Sequence, residues 1–210
     1  MIHVEFMVVG PVSTNCYFLI NDELKEVVII DPGDNADRIK AYIARQNLKP
    51  VAVLLTHGHF DHMMAAEALK GAYQIPVYAC EKEKVLLNSA SKNLSNGFIR
   101  ANYTMDADIY CKEGDELRLA GCMIKVLETP GHTPGGCCYY IASENIVFTG
   151  DTLFCLSIGR TDFEGGSFPE ICKSIQEKLF VLPEETICYP GHGEGTSIKH
   201  EKRRNPYVRS

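Results

Sequence analysis

Within Thr56-His57-Gly58-His59-Phe60-Asp61-His62, three imidazoles and a carboxylate follow directly on the apolar run Val51-Ala52-Val53-Leu54-Leu55. Side-chain packing has no use for that density of strong ligands. A transition-metal ion has, because neutral His nitrogens and Asp oxygens suit zinc and its neighbours. The stretch is therefore read as part of a metal site.

Three more ligand types stand in loops further on: His132 in Thr129-Pro130-Gly131-His132-Thr133-Pro134-Gly135, Asp151 in Phe148-Thr149-Gly150-Asp151-Thr152, and His192 in Tyr189-Pro190-Gly191-His192-Gly193. Each has Gly beside it, which permits the tight turns needed to converge on one point. Five of the seven His thus lie in such loops, whereas His3 and His200 have no partner and are read as structural. Nine Cys form no Cys-x-x-Cys pair and are odd in number. They are read as reduced, mostly buried small apolar residues, Cys155 included.

Positioning these loops requires strands that end where the ligands begin. Residues 2–9, 15–20 and 27–30 are predicted strands, the last ending in Asp31-Pro32-Gly33. Asp34 is predicted to cap a helix over 35–47 whose buried stripe is Ile39, Tyr42 and Ile43, and Pro50 to close that unit before a buried strand at 51–55. A helix over Met63–Lys70, a strand at 75–79 and a helix over 81–88 follow. Residues 89–110, weakly periodic and polar, are predicted to be a long surface loop over the site, with Tyr103 a possible substrate contact. Strands are predicted at 116–119, 122–128, 137–141 and 145–149. Ser167-Phe168-Pro169-Glu170 is a capping box for a helix to Leu179, and a strand at 186–189 and a helix over 197–204 end the chain. This order implies an α+β domain of two mixed β-sheets face to face, with helices outside.

The 210 residues suit one domain over 1–210, and 21 basic against 27 acidic residues give a formal charge of −6. That balance speaks against nucleic acid as a partner. Neither a secretory signal nor an apolar run of about 18 residues is present, so no membrane association and a cytoplasmic location are expected.

The combined pattern resembles the metallo-β-lactamase superfamily, whose Thr-His-x-His-x-Asp-His is followed by a distant His, an Asp and a last His. The matching residues are His57, His59, Asp61, His62, His132, Asp151 and His192. The resemblance implies a four-layer αβ/βα sandwich. It also implies two metal sites, one of His57, His59 and His132 and one of Asp61, His62 and His192, bridged by Asp151. The cofactors expected are two divalent ions, zinc foremost, with iron or manganese as alternatives.

Gly159-Arg160-Thr161-Asp162-Phe163, Tyr189-Pro190-Gly191-His192-Gly193-Glu194 and Glu201…Asn205-Pro206-Tyr207 look like hydroxyacylglutathione hydrolase (glyoxalase II), and most closely like its short single-domain bacterial relatives. The implied activity is hydrolysis of a small-molecule thioester by a metal-bridging hydroxide, with Asp61 orienting that hydroxide and Arg160 contacting substrate. Two cations about 3.5–4 Å apart lower the pKa of shared water toward about 7, and a thiolate departs without a strong acid. Two features differ from full-length glyoxalase II. Only 18 residues follow His192, where that enzyme carries a helical glutathione-binding domain, and Phe163 is the aromatic nearest Arg160 in place of its Tyr. The alternative is a persulfide dioxygenase with a single iron; a ribonuclease Z-type phosphodiesterase fits the ligands but not the acidic charge.

Overall fold

The computed structural model describes residues 1–209. Chain order is β1 (Ile2–Val9), β2 (Thr14–Asn21), β3 (Glu26–Ile30), α1 (Ala36–Arg45), β4 (Lys49–Leu54), α2 (Phe60–Met63), α3 (Ala66–Tyr73), β5 (Val77–Cys80), α4 (Lys84–Leu87), α5 (Ser95–Ile99) and β6 (Ile109–Cys111). Then come β7 (Glu116–Leu119), β8 (Cys122–Glu128), β9 (Cys137–Ile141), β10 (Ile146–Gly150), β11 (Leu153–Phe154), β12 (Ser157–Ile158), α6 (Phe168–Ser174), β13 (Ile187–Pro190), β14 (Thr196–Ser197) and α7 (Ile198–Arg204).

One six-stranded sheet runs β1-β2-β3-β4-β5-β6 and the other β14-β13-β10-β9-β8-β7. Both are mixed: β3, β4, β5 and β6 pair in parallel, as do β10 and β13, and the remaining pairs are antiparallel. Apolar runs suit strands covered on both faces. In β3, Val28 and Ile30 enter the layer between the sheets with Leu54, Tyr139 and Phe148, while Val27 and Ile29 face outward toward Ile39, Ile43 and Leu69. The second sheet does the same, turning Leu127, Val147 and Cys188 toward Ile171, Ile175 and Leu179 of α6 and the π-helical turn that continues it. The result is the expected α+β sandwich with helices on the outer faces.

Several local expectations are corrected. Asn35, not Asp34, is the residue before α1; it is left-handed at φ 56°, and its side chain accepts from Gly10 N–H instead of capping. Pro50 lies inside β4, tolerated at a register shift near the strand's start. The helix expected from Met63 begins at Phe60, so Asp61 and His62 ride on a helical turn, and a second helix starts at Ala66. Residues 89–110 are no plain surface loop: they hold α5 and most of β6, bury Asn93 and Ser95, and send Met105 and Ala107 into the core. Among the described residues, no helix is long and apolar enough to cross a membrane.

Candidate metal centre

All seven predicted ligand residues meet at one end of the sandwich, in segments that leave strand C-termini. His57 and His59 follow β4 and Asp61 and His62 sit on α2, while His132, Asp151 and His192 follow β8, β10 and β13. Two groups form, with ligand atoms within 4.8 Å of one another: His57, His59 and His132, and Asp61, His62 and His192. In the first, His59 Nδ1 is 3.1 Å from His57 Nε2 and 3.0 Å from His132 Nε2. In the second, Asp61 Oδ2 is 3.4 Å from His62 Nε2 and 3.2 Å from His192 Nε2. Between them lies Asp151, its Oδ1 3.4 Å from His62 Nε2 and its Oδ2 3.6 Å from both His132 and His192.

Hydrogen bonds behind the rings determine which nitrogens face inward. His62 Nδ1 donates to Asp31 Oδ2 at 2.9 Å, and His132 Nδ1 donates to the Arg160 carbonyl at 2.7 Å. A carboxylate or carbonyl only accepts, so each of these Nδ1 atoms carries a proton and each Nε2 is the nitrogen turned toward the site. His57 is held the same way: the Thr56 hydroxyl donates to Asp31 at 2.7 Å and is left to accept from His57 Nδ1 at 3.2 Å. Fixing a ring's tautomer and orientation from behind is what metal-ligating histidines require.

The donors present fit divalent cations. His62 Nε2 and Asp151 Oδ1 are buried with no hydrogen-bond partner, and orphaned polar atoms in such a place call for an ion or other partner. Around a tetrahedral ion with bonds of about 2.0–2.1 Å to nitrogen, neighbouring nitrogens stand about 3.3 Å apart; those of the first group are slightly closer. Burial, with the facing imidazoles adding to it, holds His57 well below the ordinary histidine range and His59 down at about 3, so both rings are neutral and able to ligate. Burial opposes ionisation of Asp61 and Asp151, but the surrounding histidines, His62 foremost, together outweigh it and hold both below the usual carboxylate range.

Three side chains that sequence reasoning did not single out complete the arrangement. Asp31 joins Thr56 N–H, the Thr56 hydroxyl and His62. Fully buried Glu83 accepts from Gly58 N–H at 2.6 Å and Gly135 N–H at 2.7 Å, tying the loop of His57 and His59 to the loop of His132. The Thr14 hydroxyl donates to Asp61 Oδ2 at 2.9 Å. Asp31 carried a signal, a carboxylate ending a wholly apolar strand; the other two depend on long-range contacts that local pattern does not reveal. Gly191 has its own reason to be glycine, since a Cβ there would collide with Asp151 and His62.

A cavity of about 430 Å³ opens above the group, and Asp61 and Arg160 both line it. The Arg160 guanidinium binds Asp162 through two hydrogen bonds of 2.9 and 2.8 Å and stacks over the Phe163 ring at 4.3 Å. Residues 89–110 contribute Leu94 and Phe98 to the wall rather than Tyr103, whose hydroxyl donates to the Met63 carbonyl instead. All nine cysteines are free, as expected. Cys155, His200 and Glu201 also approach within 4.8 Å, but the Glu201 carboxylate is already filled by Leu156 N–H, the Thr196 hydroxyl and the Asn205 amide.

Comparison with known proteins gives the same frame. The chain is 41% identical over 203 residues to the probable metallo-hydrolase YqgX of Bacillus subtilis, covering 96% of this chain and 95% of that one. It is 36% identical over 210 residues to the hydroxyacylglutathione hydrolase GloC of Haemophilus influenzae, covering 99% of each. Among solved structures, BLEG-1 B3 metallo-β-lactamase superposes with a TM-score of 0.94 at 39% identity, covering 99% of this chain and 100% of that one. TTHA1623 in a di-iron-bound form gives 0.85 at 34% identity, covering 97% and 100%. ETHE1 from Myxococcus xanthus gives 0.82 at 32%, covering 97% and 83%. The family model for the metallo-β-lactamase superfamily matches residues 9–192, a span that takes in every residue of the two groups and the Asp31 and Glu83 behind them, and the chain belongs to that superfamily.

Proposed function

We propose that this single-domain chain is a dinuclear metallohydrolase that cleaves a small-molecule thioester, with His57, His59 and His132 holding one ion, Asp61, His62 and His192 the other, and Asp151 between them. The observation that carries it is the pair of adjoining groups sharing Asp151, with His62 Nε2 and Asp151 Oδ1 buried and unpartnered. When bound, two divalent cations, zinc or else iron or manganese, supply water ionised near neutral pH and a positive field over a carbonyl oxygen.

The chain's own residues supply the rest. Asp61 faces the cavity, and the Thr14 hydroxyl fixes its Oδ2. From there it accepts a hydrogen bond from attacking water and orients it toward the acyl carbon. Thiol pKa values are about 8–9, so a thiolate leaves without a positioned acid, and none is needed from the mostly apolar cavity walls. Arg160 contacts substrate as part of the wall it forms with Phe163. The likeness to GloC over the full length supports the thioester, and nine unpaired cysteines support a reducing, cytoplasmic setting. Protein loaded with zinc, iron or manganese is expected to hydrolyse S-lactoylglutathione or another acyl thioester; full metal loading without any thioesterase activity would sink the reading.

A second reading, persulfide dioxygenase with a single iron, is favoured by one observation. His57, His62 and Asp151 also form a set within 4.8 Å, and two His with one carboxylate is the ligand type of non-haem iron oxygenases. Elemental analysis of protein purified without added metal separates the two. One iron per chain with persulfide-dependent oxygen uptake selects the second; two metals with thioester cleavage select the first.

A further inference from the structure

The cavity has a polar floor and apolar walls. His59, Asp61, His132, Asp151 and His192 form the floor, and Val12, Leu94, Phe98, Phe154, Ile158 and Phe163 form the walls. Aromatic rings come right up to the ligand histidines: Phe163 lies 5.5 Å from His59 and Phe154 6.2 Å from His192 between centroids. Phe98 bridges the other side, 5.9 Å from Phe60 and 6.5 Å from Phe163.

These walls are braced from behind. Buried Asn93 donates to the Tyr103 carbonyl and accepts from Ser95 N–H, which holds Leu94 in a left-handed conformation at φ 68° that a bulky residue adopts only when its surroundings force it. Asn205 donates to the Ser157 carbonyl and Glu201 accepts from Leu156 N–H, so α7 clamps the β11–β12 hairpin that carries Phe154 and Ile158. Even so, Phe98 remains 54% exposed and Val12 40%. Braced apolar side chains left open to water around a polar floor are the make-up of a ligand site.

Charge at the mouth argues in the same direction. Arg160 is the cavity's single Lys or Arg among the described residues, and Asp162 already occupies its Nε and Nη2. A glutathione conjugate brings two carboxylates and an ammonium, and setting such groups against an apolar wall without partners is unfavourable. We infer that the site takes thioesters whose acyl and thiol portions are uncharged and apolar in the part nearest the scissile bond, in preference to glutathione conjugates. This rests on the thioester reading above for the bond that is cleaved; the apolar, uncharged ligand class stands on the walls themselves.

Binding and turnover test the two layers separately. Calorimetry on the metal-loaded protein would compare three non-hydrolysable thioethers: S-ethyl-N-acetylcysteamine, S-hexyl-N-acetylcysteamine and S-hexylglutathione. Hexyl is expected to bind more tightly than ethyl by roughly fourfold for each added methylene that is fully buried, and S-hexyl-N-acetylcysteamine more tightly than S-hexylglutathione. S-hexylglutathione binding as tightly or more tightly, or no gain from ethyl to hexyl, would overturn the inference. The half-exposed Phe98 is a safe site for the variant Phe98→Ala, which should weaken the hexyl ligand about fivefold with metal content unchanged; unchanged affinity would remove Phe98 from the site. The matching hexanoyl thioesters give the turnover arm. Binding in the expected order with no cleavage would sink the hydrolase reading and leave the apolar ligand class standing.

Discussion

At the scale of single residues, Asp31 shows how one carboxylate decides what a histidine can do. It accepts from His62 Nδ1 while also accepting from Thr56 N–H and the Thr56 hydroxyl. In Asp31→Asn the amide keeps one acceptor for Thr56 but turns an NH₂ toward His62, so the ring's proton moves to Nε2, the atom that faces Asp61 and Asp151. Metal affinity at the second group is expected to fall about 10–100-fold, the usual effect of losing such a partner, measured by competition against a chelator of known affinity. Removing a ligand outright separates the two groups: His62→Ala should lose the ion of the second group and His57→Ala that of the first, each read as about one metal equivalent lost by elemental analysis. Equal loss of both ions from either variant would contradict the division.

Among elements, the decisive contacts join loops that lie far apart in sequence. Glu83 sits just before α4, yet it clasps Gly58 and Gly135, which flank the histidines of the first group. Burial raises its pKa, and the two N–H bonds restrain that rise. Glu83→Gln keeps the shape but points an NH₂ at one of two backbone donors. Leaving a buried donor unsatisfied costs about 1–3 kcal/mol, which for a chain of this size is roughly 2–12 °C in Tm. Thermal unfolding with and without metal is the measurement, and an unchanged Tm would show that the clasp does not hold the loops. Such contacts also explain what was legible in the chain. The cap at Ser167 and the seven ligand-type residues are local patterns of type and spacing, and the structure brings those residues together. Several strand limits, by contrast, shift by one or two residues, and Ser167 N–H donates to the Gly131 carbonyl in place of the capping box's Glu170. Asn35 in place of Asp34, the break between α2 and α3 and the burial of Asn93 depend on partners distant in sequence, Gly10 and Tyr103 among them, which spacing does not encode.

Across the whole molecule, the two sheets share an apolar layer but meet at the site through polar groups. Thr14 bridges to His192, Asn15 N–H donates to the Gly191 carbonyl, and the Tyr17 hydroxyl donates to the Pro190 carbonyl. His57, His59, Asp61 and His62 come from the half built on the first sheet, and His132, Asp151 and His192 from the second. Ions bound among them would therefore cross-link the halves, and binding would count toward folding stability because the unfolded chain presents no assembled site. At free metal about 1,000 times Kd, one such ion adds about 4 kcal/mol, or roughly 8–16 °C in Tm at this chain length. Chelation should lower Tm by that order. Hydrogen exchange should rise first in residues 56–62, 129–136 and 190–193, where the ligands sit, and last in the Val28, Leu54, Tyr139 and Phe148 layer between the sheets. An unshifted Tm after complete metal removal would mean that Asp31, Glu83 and the Thr14–His192 seam assemble the site unaided.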